Sequence, residues 1–251
     1  MPLSVLIVLA AIGFVGGIGI TAVGPGGVLP TIGLFALTDL TPAEVAGTSI
    51  VTHIATGLLA TAAYVRSGQL QERETLRTAW LLAGAALIGT PLGVLVNGHV
   101  SERAFGIVLA GILVGVAALL CRRGDRHAEP TLTHPPAAVV ACLGLSVSIL
   151  AGIVGIGGPM LTVPLLVILG VPLLESLAAA QAQSIVIATT GTVAYVANGS
   201  IDWGLAALVG IPELAGVLVG WRLAHALPTR SLKIALVITL FALAPYLALR
   251  T

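Results

Sequence analysis

Two glycine clusters are the places in this sequence where the backbone itself could do chemistry: Gly24, Gly26 and Gly27 around Pro25, and Gly155, Gly157 and Gly158 before Pro159. Glycine allows turns that a side chain forbids, and proline favours the first position of a new helix. Each cluster leads into a short apolar segment, 27–38 and 159–170, well under the roughly 20 residues that a spanning helix needs. The pattern predicts a helix that breaks, turns and restarts. Free N–H groups and the positive dipole end of a restarted helix hold an anion without any Lys or Arg. Gly26, Gly27, Gly157 and Gly158 are the backbone positions expected to do so. Apart from Arg222 near an edge, no Lys or Arg falls inside an apolar stretch.

Side chains that could complete such a site follow each cluster. Thr48, Ser49, Thr52, His53 and Thr56 stack at four-residue spacing along part of one helix side. The second half offers Gln181, Gln183, Ser184, Thr189 and Thr190. Matching Thr48-Ser49-Ile50-Val51 with Gln183-Ser184-Ile185-Val186 places Ser49 and Ser184 equivalently, as oxyanion donors beside Thr48 and Gln183. His53 is the one histidine well inside an apolar stretch, and imidazole titrates near neutral pH. Glu213, in VGIPELAG, is an acid embedded in a span and is the candidate for proton coupling. Glu44 and Glu175 open helices, where a carboxylate complements the dipole. Asp202 with Trp203 reads as an interface anchor.

Enzyme chemistry finds little support. Asp39, Asp125 and Asp202 sit at loops or ends, so no embedded aspartyl pair exists, and Ser49 with His53 lacks a third orienting group. Cys121, Cys142 and the linker histidines His127 and His134 do not have ligand spacing. No catalytic residue, metal or cofactor is expected.

The elements that must position these residues are membrane helices. The chain is 57% hydrophobic and 8% charged, with mean hydropathy +1.10, against about 25% charged in soluble domains. The same figures exclude disorder, and a net charge of +1 gives no footprint for nucleic acid. The apolar runs are too long for barrel strands. The N-terminus continues past signal-peptide length and reads as a retained first helix. Helices are expected at 3–23, 27–38, 42–65, 75–97 and 102–121, then at 137–154, 159–170, 173–197, 203–226 and 230–249.

The two sets are copies. GPGGVLP (24–30) matches GIGGPML (155–161), AYVRSG (63–68) matches AYVANG (194–199), and Gly89 and Gly93 match Gly216 and Gly220. The offset drifts between 127 and 135 in four-residue steps. The expected fold is all-α and polytopic, built of two inverted repeats. Each repeat has about three full spans plus a broken or re-entrant short helix pair. The repeats cover 1–120 and 137–251, joined by the linker 121–136. With an odd number of crossings per half, Arg66, Arg73, Arg77, Arg122, Arg123, Arg126, Arg222, Arg230 and Lys233 share one face, and Arg103 and Arg250 the other. The positive-inside rule then makes the linker cytoplasmic and puts both termini outside the cell membrane.

These residues resemble the TauE/SafE sulfite exporter family. The resemblance is carried by GPGGVLP and GIGGPMLTVP, the P-x-x-V-A-G-T-S element from Pro42 to Ser49, and Y-x-R-x-G at 64–68. The G-x-x-x-G pairs at 89–93 and 216–220 and N-G-S-I-D-W at 198–203 add to it. Two positions depart: Pro25 shortens the first glycine run, and Gln183 replaces the Thr of the Thr-Ser pair. The resemblance implies a permease exporting sulfite, sulfonates or related small anions. The expected partners are therefore a small anionic substrate and the lipid bilayer. A channel or facilitator for a small anion or neutral solute is the alternative. The oligomeric state is left open.

Overall fold

The computed structural model describes residues 1–122 and 135–226; the expected helix 230–249 and residues 123–134 of the linker lie outside them. Among the described residues there are nine α-helices: α1 (Leu3–Ala22), α2 (Val28–Leu37), α3 (Pro42–Arg66), α4 (Arg73–Asn97), α5 (Glu102–Arg122), α6 (Ala137–Val154), α7 (Pro159–Ile168), α8 (Leu173–Ala197) and α9 (Trp203–Ala226). Six of them, α1, α3, α4, α6, α8 and α9, are long and apolar enough to cross a membrane. Large apolar side chains such as Ile7, Leu87, Val193 and Ile211 face outward, while Thr31, Ser49, His53, Gln183 and Glu213 are buried. Apolar outside and polar inside is the arrangement lipid demands. The chain is an all-α polytopic membrane protein.

Local sequence explains the helix ends. Thr41 and Glu44 form a capping box with Pro42 at the first helical position of α3. Between α1 and α2, Gly24 adopts φ 107° and Pro25–Gly27 form a 3-10 turn. The corresponding Gly155 ends α6 at φ 73°, a left-handed conformation that glycine takes without steric cost.

Each short helix doubles back on the long helix before it. Gly26 packs against Gly16 and Gly19, and Gly33 lies against Ile12 and Leu9, so α2 runs antiparallel to α1. In the second half Ser148 of α6 and Thr162 of α7 meet on the same Gln183 amide. Both pairs are thus hairpins, each short helix folding back along the long helix before it.

The first helix of each half packs in parallel on the fourth helix of the other. A Cβ on Gly216 or Gly220 would strike the carbonyls of Phe14 or Ile18, and one on Gly89 or Gly93 those of Leu145 or Ile149. Small residues at four-residue spacing let backbones approach this closely, and packing then replaces the hydrophobic effect as the adhesive. The central helices α3 and α8 run antiparallel, with Gly47 against Ser200 and Gly57 against Ile185. Tyr64 donates to the Thr21 carbonyl at 2.8 Å, and Tyr195 to the Gly152 carbonyl at 2.7 Å. Donor and acceptor are each displaced by the same number of residues from one half to the other.

Gly93→Leu and Gly220→Leu are each expected to destabilise the detergent-solubilised protein by about 1–3 kcal/mol through overpacking. Gly84, with nothing near its Cβ position, serves as the control. Gly84→Ala should leave the thermal unfolding midpoint unchanged or slightly raised, and equal effects at all three glycines would contradict the packing assignment.

Candidate functional site

The tips of the two hairpins meet on one imidazole. His53, in the middle of α3, is 1% exposed. A Cβ on Gly27 would stand 2.8 Å from its Nε2, and a Cβ on Gly157 would stand 2.5 Å from its Cδ2 and 2.7 Å from Ser184 Oγ. Only glycine fits at either tip without displacing the ring. His53 Nδ1 lies 3.0 Å from the Ser49 carbonyl oxygen and 3.3 Å from Thr52 Oγ1, which itself donates to that carbonyl at 2.9 Å. Nε2, on the far side of the ring, is buried without a hydrogen-bond partner.

From α9, Glu213 faces Thr52 and His53. Its side chain is fully buried, and no hydrogen bond of acceptable geometry closes on either carboxylate oxygen. Gly210, one turn earlier, lets α9 close on α3: its Cβ would lie 3.1 Å from Thr52 Cγ2. A buried carboxylate beside an imidazole whose Nε2 has no hydrogen-bond partner is costly to stability, and such groups mark functional sites in membrane proteins.

Around this centre, side chains satisfy the carbonyls freed where α1 and α6 end. Gln181 Nε2 donates to the Ile20 carbonyl at 3.2 Å and Tyr64 Oη to that of Thr21 at 2.8 Å, while Thr21 Oγ1 itself donates to the Val217 carbonyl within α9 at 2.9 Å. Asn97 Nδ2 donates to the Ile153 carbonyl at 2.6 Å and Thr31 Oγ1 to that of Gly155 at 3.2 Å. The N–H ends are treated differently. Neither Gly27 before α2 nor Gly158 before α7 carries a side-chain cap. Among the described residues no backbone carbonyl takes the Gly157 or Gly158 N–H. Donors without acceptors at a helix start are the kind of group that can hold an anion.

The structure sorts the candidates read from sequence. It brings His53, Gly27, Gly157, Ser184 and Glu213 together. Gly158 stands beside them, its Cβ position 3.0 Å from Gln183 Oε1. Ser49 and Gln183 are framing residues. Ser49 Oγ shares a 2.8 Å hydrogen bond with Thr31 Oγ1, and Gln183 accepts from Thr162 Oγ1 at 2.6 Å. Two candidates lie apart: Thr48 Oγ1 accepts from the Asp202 N–H at 2.9 Å, and Gly26 is pressed on α1. Thr52, read only as part of a polar stack, stands between His53 and Glu213.

The equivalence of Ser49 with Ser184 does not hold in space. Helices α3 and α8 are each 25 residues long and begin at Pro42 and Leu173, in the same 131-residue displacement as Tyr64 and Tyr195. Ser184 therefore stands at the level of His53, and Ala180 at that of Ser49. A match shifted by one turn keeps the same helix face, so the sequence pattern tolerates the error. The drift to 127 at the G-x-x-x-G pairs is real, because both pairs meet equivalent carbonyls.

A cleft of about 560 Å³, lined by Phe35, Thr38, Asp39, Ser101, Glu102 and Arg103 among others, opens where α2 ends and α5 begins. Among the described residues no three His, Cys, Asp or Glu side chains gather as metal ligands.

Comparison with known proteins agrees with this architecture. The family model described as Sulfite exporter TauE/SafE matches residues 9–247. The chain is similar to the Probable membrane transporter protein YdhB of Bacillus subtilis, at 25% identity over 90% of this chain and 93% of that protein. It is similar also to the Probable membrane transporter protein YunE of the same organism, at 26% identity over 88% of each. No solved structure matches.

Gly27→Ala and Gly157→Ala are expected to fold, since alanine suits a helix start, but to lose about tenfold or more in solute flux by displacing the imidazole. Flux into proteoliposomes, normalised to reconstituted protein, measures this. Wild-type rates in both variants would remove the tips from the site.

Proposed function

Because the chain belongs to the sulfite exporter TauE/SafE family, a family of membrane transporters, we propose that it is a secondary transporter of a small oxyanion of the sulfite or sulfonate class. The observation that carries this reading is the convergence of two helix starts, from hairpins on antiparallel halves, on the unpartnered Nε2 of His53. The Gly157 and Gly158 backbone supplies N–H donors, Ser184 a hydroxyl and His53 the ring nitrogen, with Gly27 closing the other side of the ring. Three or four donors at a site without Lys or Arg suit a compact monovalent oxyanion. They bind it loosely enough to release it. The cleft at the α2–α5 end offers one approach, and rocking of the hairpins about the α3–α8 pair offers alternating access.

The buried Glu213 carboxylate is the proposed proton site, adjacent to the anion rather than part of its coordination. Among the described residues Arg66, Arg73, Arg77, Arg122 and Arg222 lie at one end of the bundle and Arg103 at the other. This asymmetry supports a cytoplasmic linker and outer termini in the cell membrane. Electrogenic, proton-independent flux would favour the channel or facilitator reading.

Uptake into proteoliposomes of sulfite, sulfate, thiosulfate, a taurine-like sulfonate and small carboxylates, with and without a pH gradient, is expected to show sulfite or sulfonate movement. If no anion moves while the protein stays folded, the reading fails. In the same assay Glu213→Gln should displace the pH profile of transport. An unchanged profile at normal expression would remove Glu213 from coupling.

A further inference from the structure

The hydrogen bonds on His53 decide more than its position. A carbonyl oxygen only accepts, so the ring nitrogen 3.0 Å from the Ser49 carbonyl, Nδ1, carries a hydrogen. Thr52 Oγ1, whose hydrogen goes to the Ser49 carbonyl or to Glu213, turns a lone pair to Nδ1 in either case. The neutral tautomer is thereby fixed with the lone pair on Nε2. That atom is the one facing Gly27 and Gly157. A lone pair repels an oxyanion; only the imidazolium presents an N–H there.

The surroundings restrict where the compensating charge sits. The α2 tip brings Gly27 and Ile20 of α1 to this place, the α6–α7 turn brings Gly157, α8 brings Ser184, and α9 brings Glu213. The other described Asp, Glu, Lys and Arg residues lie in connections or within five residues of a helix end. The His53–Glu213 pair is buried, and a dry site tolerates little net charge. Without substrate, one proton shared by the pair leaves it neutral. With a monovalent anion at Nε2, neutrality requires a second proton: His53 as imidazolium and Glu213 as the neutral acid.

We infer that the anion and one proton bind this site together, the proton from water completing the His53 imidazolium whose Nε2–H donates to the oxyanion. This rests on the oxyanion-transporter reading above and makes that transport electroneutral, one proton with each monovalent anion. One N–H bond forms from an aqueous proton, no bond to the anion is made or broken, and no redox partner is involved.

The test uses the full-length protein in detergent with ethanesulfonate, a strong-acid anion that stays deprotonated throughout. Its affinity between pH 6 and 9, and the proton exchange on binding in weak buffer, are the readouts. The expected results are uptake of about one proton per bound sulfonate on the alkaline limb, and a Kd that weakens about tenfold per pH unit there. Binding with no proton change, or with proton release, overturns the inference and leaves the transporter reading standing. Absence of sulfonate, sulfite and carboxylate binding by the folded protein overturns both. His53→Gln places a permanent N–H donor near Nε2; retained binding with a flat pH profile supports the inference. Since wild-type proton uptake already decides the matter, a misfolded variant would not rescue it.

Discussion

Every backbone polar group inside a bilayer must find a partner within the protein, because lipid supplies none. This protein breaks two of its helices inside the bundle and so frees carbonyls at the ends of α1 and α6 and N–H groups at the starts of α2 and α7. The two kinds of group are handled differently. Tyr64, Gln181, Tyr195, Asn97 and Thr31 reach across from other helices to the carbonyls. No side chain caps the helix starts. The carbonyl side of each break is closed, and the Gly157 and Gly158 N–H groups before α7 are left open at the proposed anion site.

The frame around the site is symmetric and the chemistry within it is not. Tyr64 and Tyr195 make the same bond, Thr31 and Thr162 both tie a short helix to the long helix that follows, and the glycine pairs of α4 and α9 meet equivalent carbonyls. At the level of His53 the second half carries Ser184. In the register of the glycine pairs, Glu213 corresponds to Ala86, a buried apolar residue. Both titratable groups of the centre are thus unique to one half. Duplication supplies two tips that approach from opposite directions. Divergence supplies the single imidazole and carboxylate that they enclose.

Burial makes that pair consequential. In water two such charges side by side would attract by only about 1 kcal/mol. Here both are 1% exposed or less, and each protonation state changes the net charge of a site with little dielectric screening. On the proposed reading, proton and anion occupancy are linked by electrostatics, without any need for a large movement at the site.

Much of this was legible in the amino-acid order. Apolar run lengths placed the nine described helices to within two residues of their ends, because lipid imposes length and composition directly. Glycine and proline marked the two breaks, because few other residues tolerate those turns. The repeat was visible as ordered matches, and His53 and Glu213 stood out as ionisable groups in spans. What the order of residues could not decide was register and facing. A one-turn shift preserves a helix face, so Ser184 was matched with Ser49 although it stands level with His53. Thr48 and Ser49, adjacent in sequence, turn to different partners about 100° apart on the helix, one to Asp202 and the other to Thr31. The direction of α2 along α1, the meeting of both tips on one ring, and the lone pair left on Nε2 depend on contacts between distant segments. Only the tertiary structure sets those contacts.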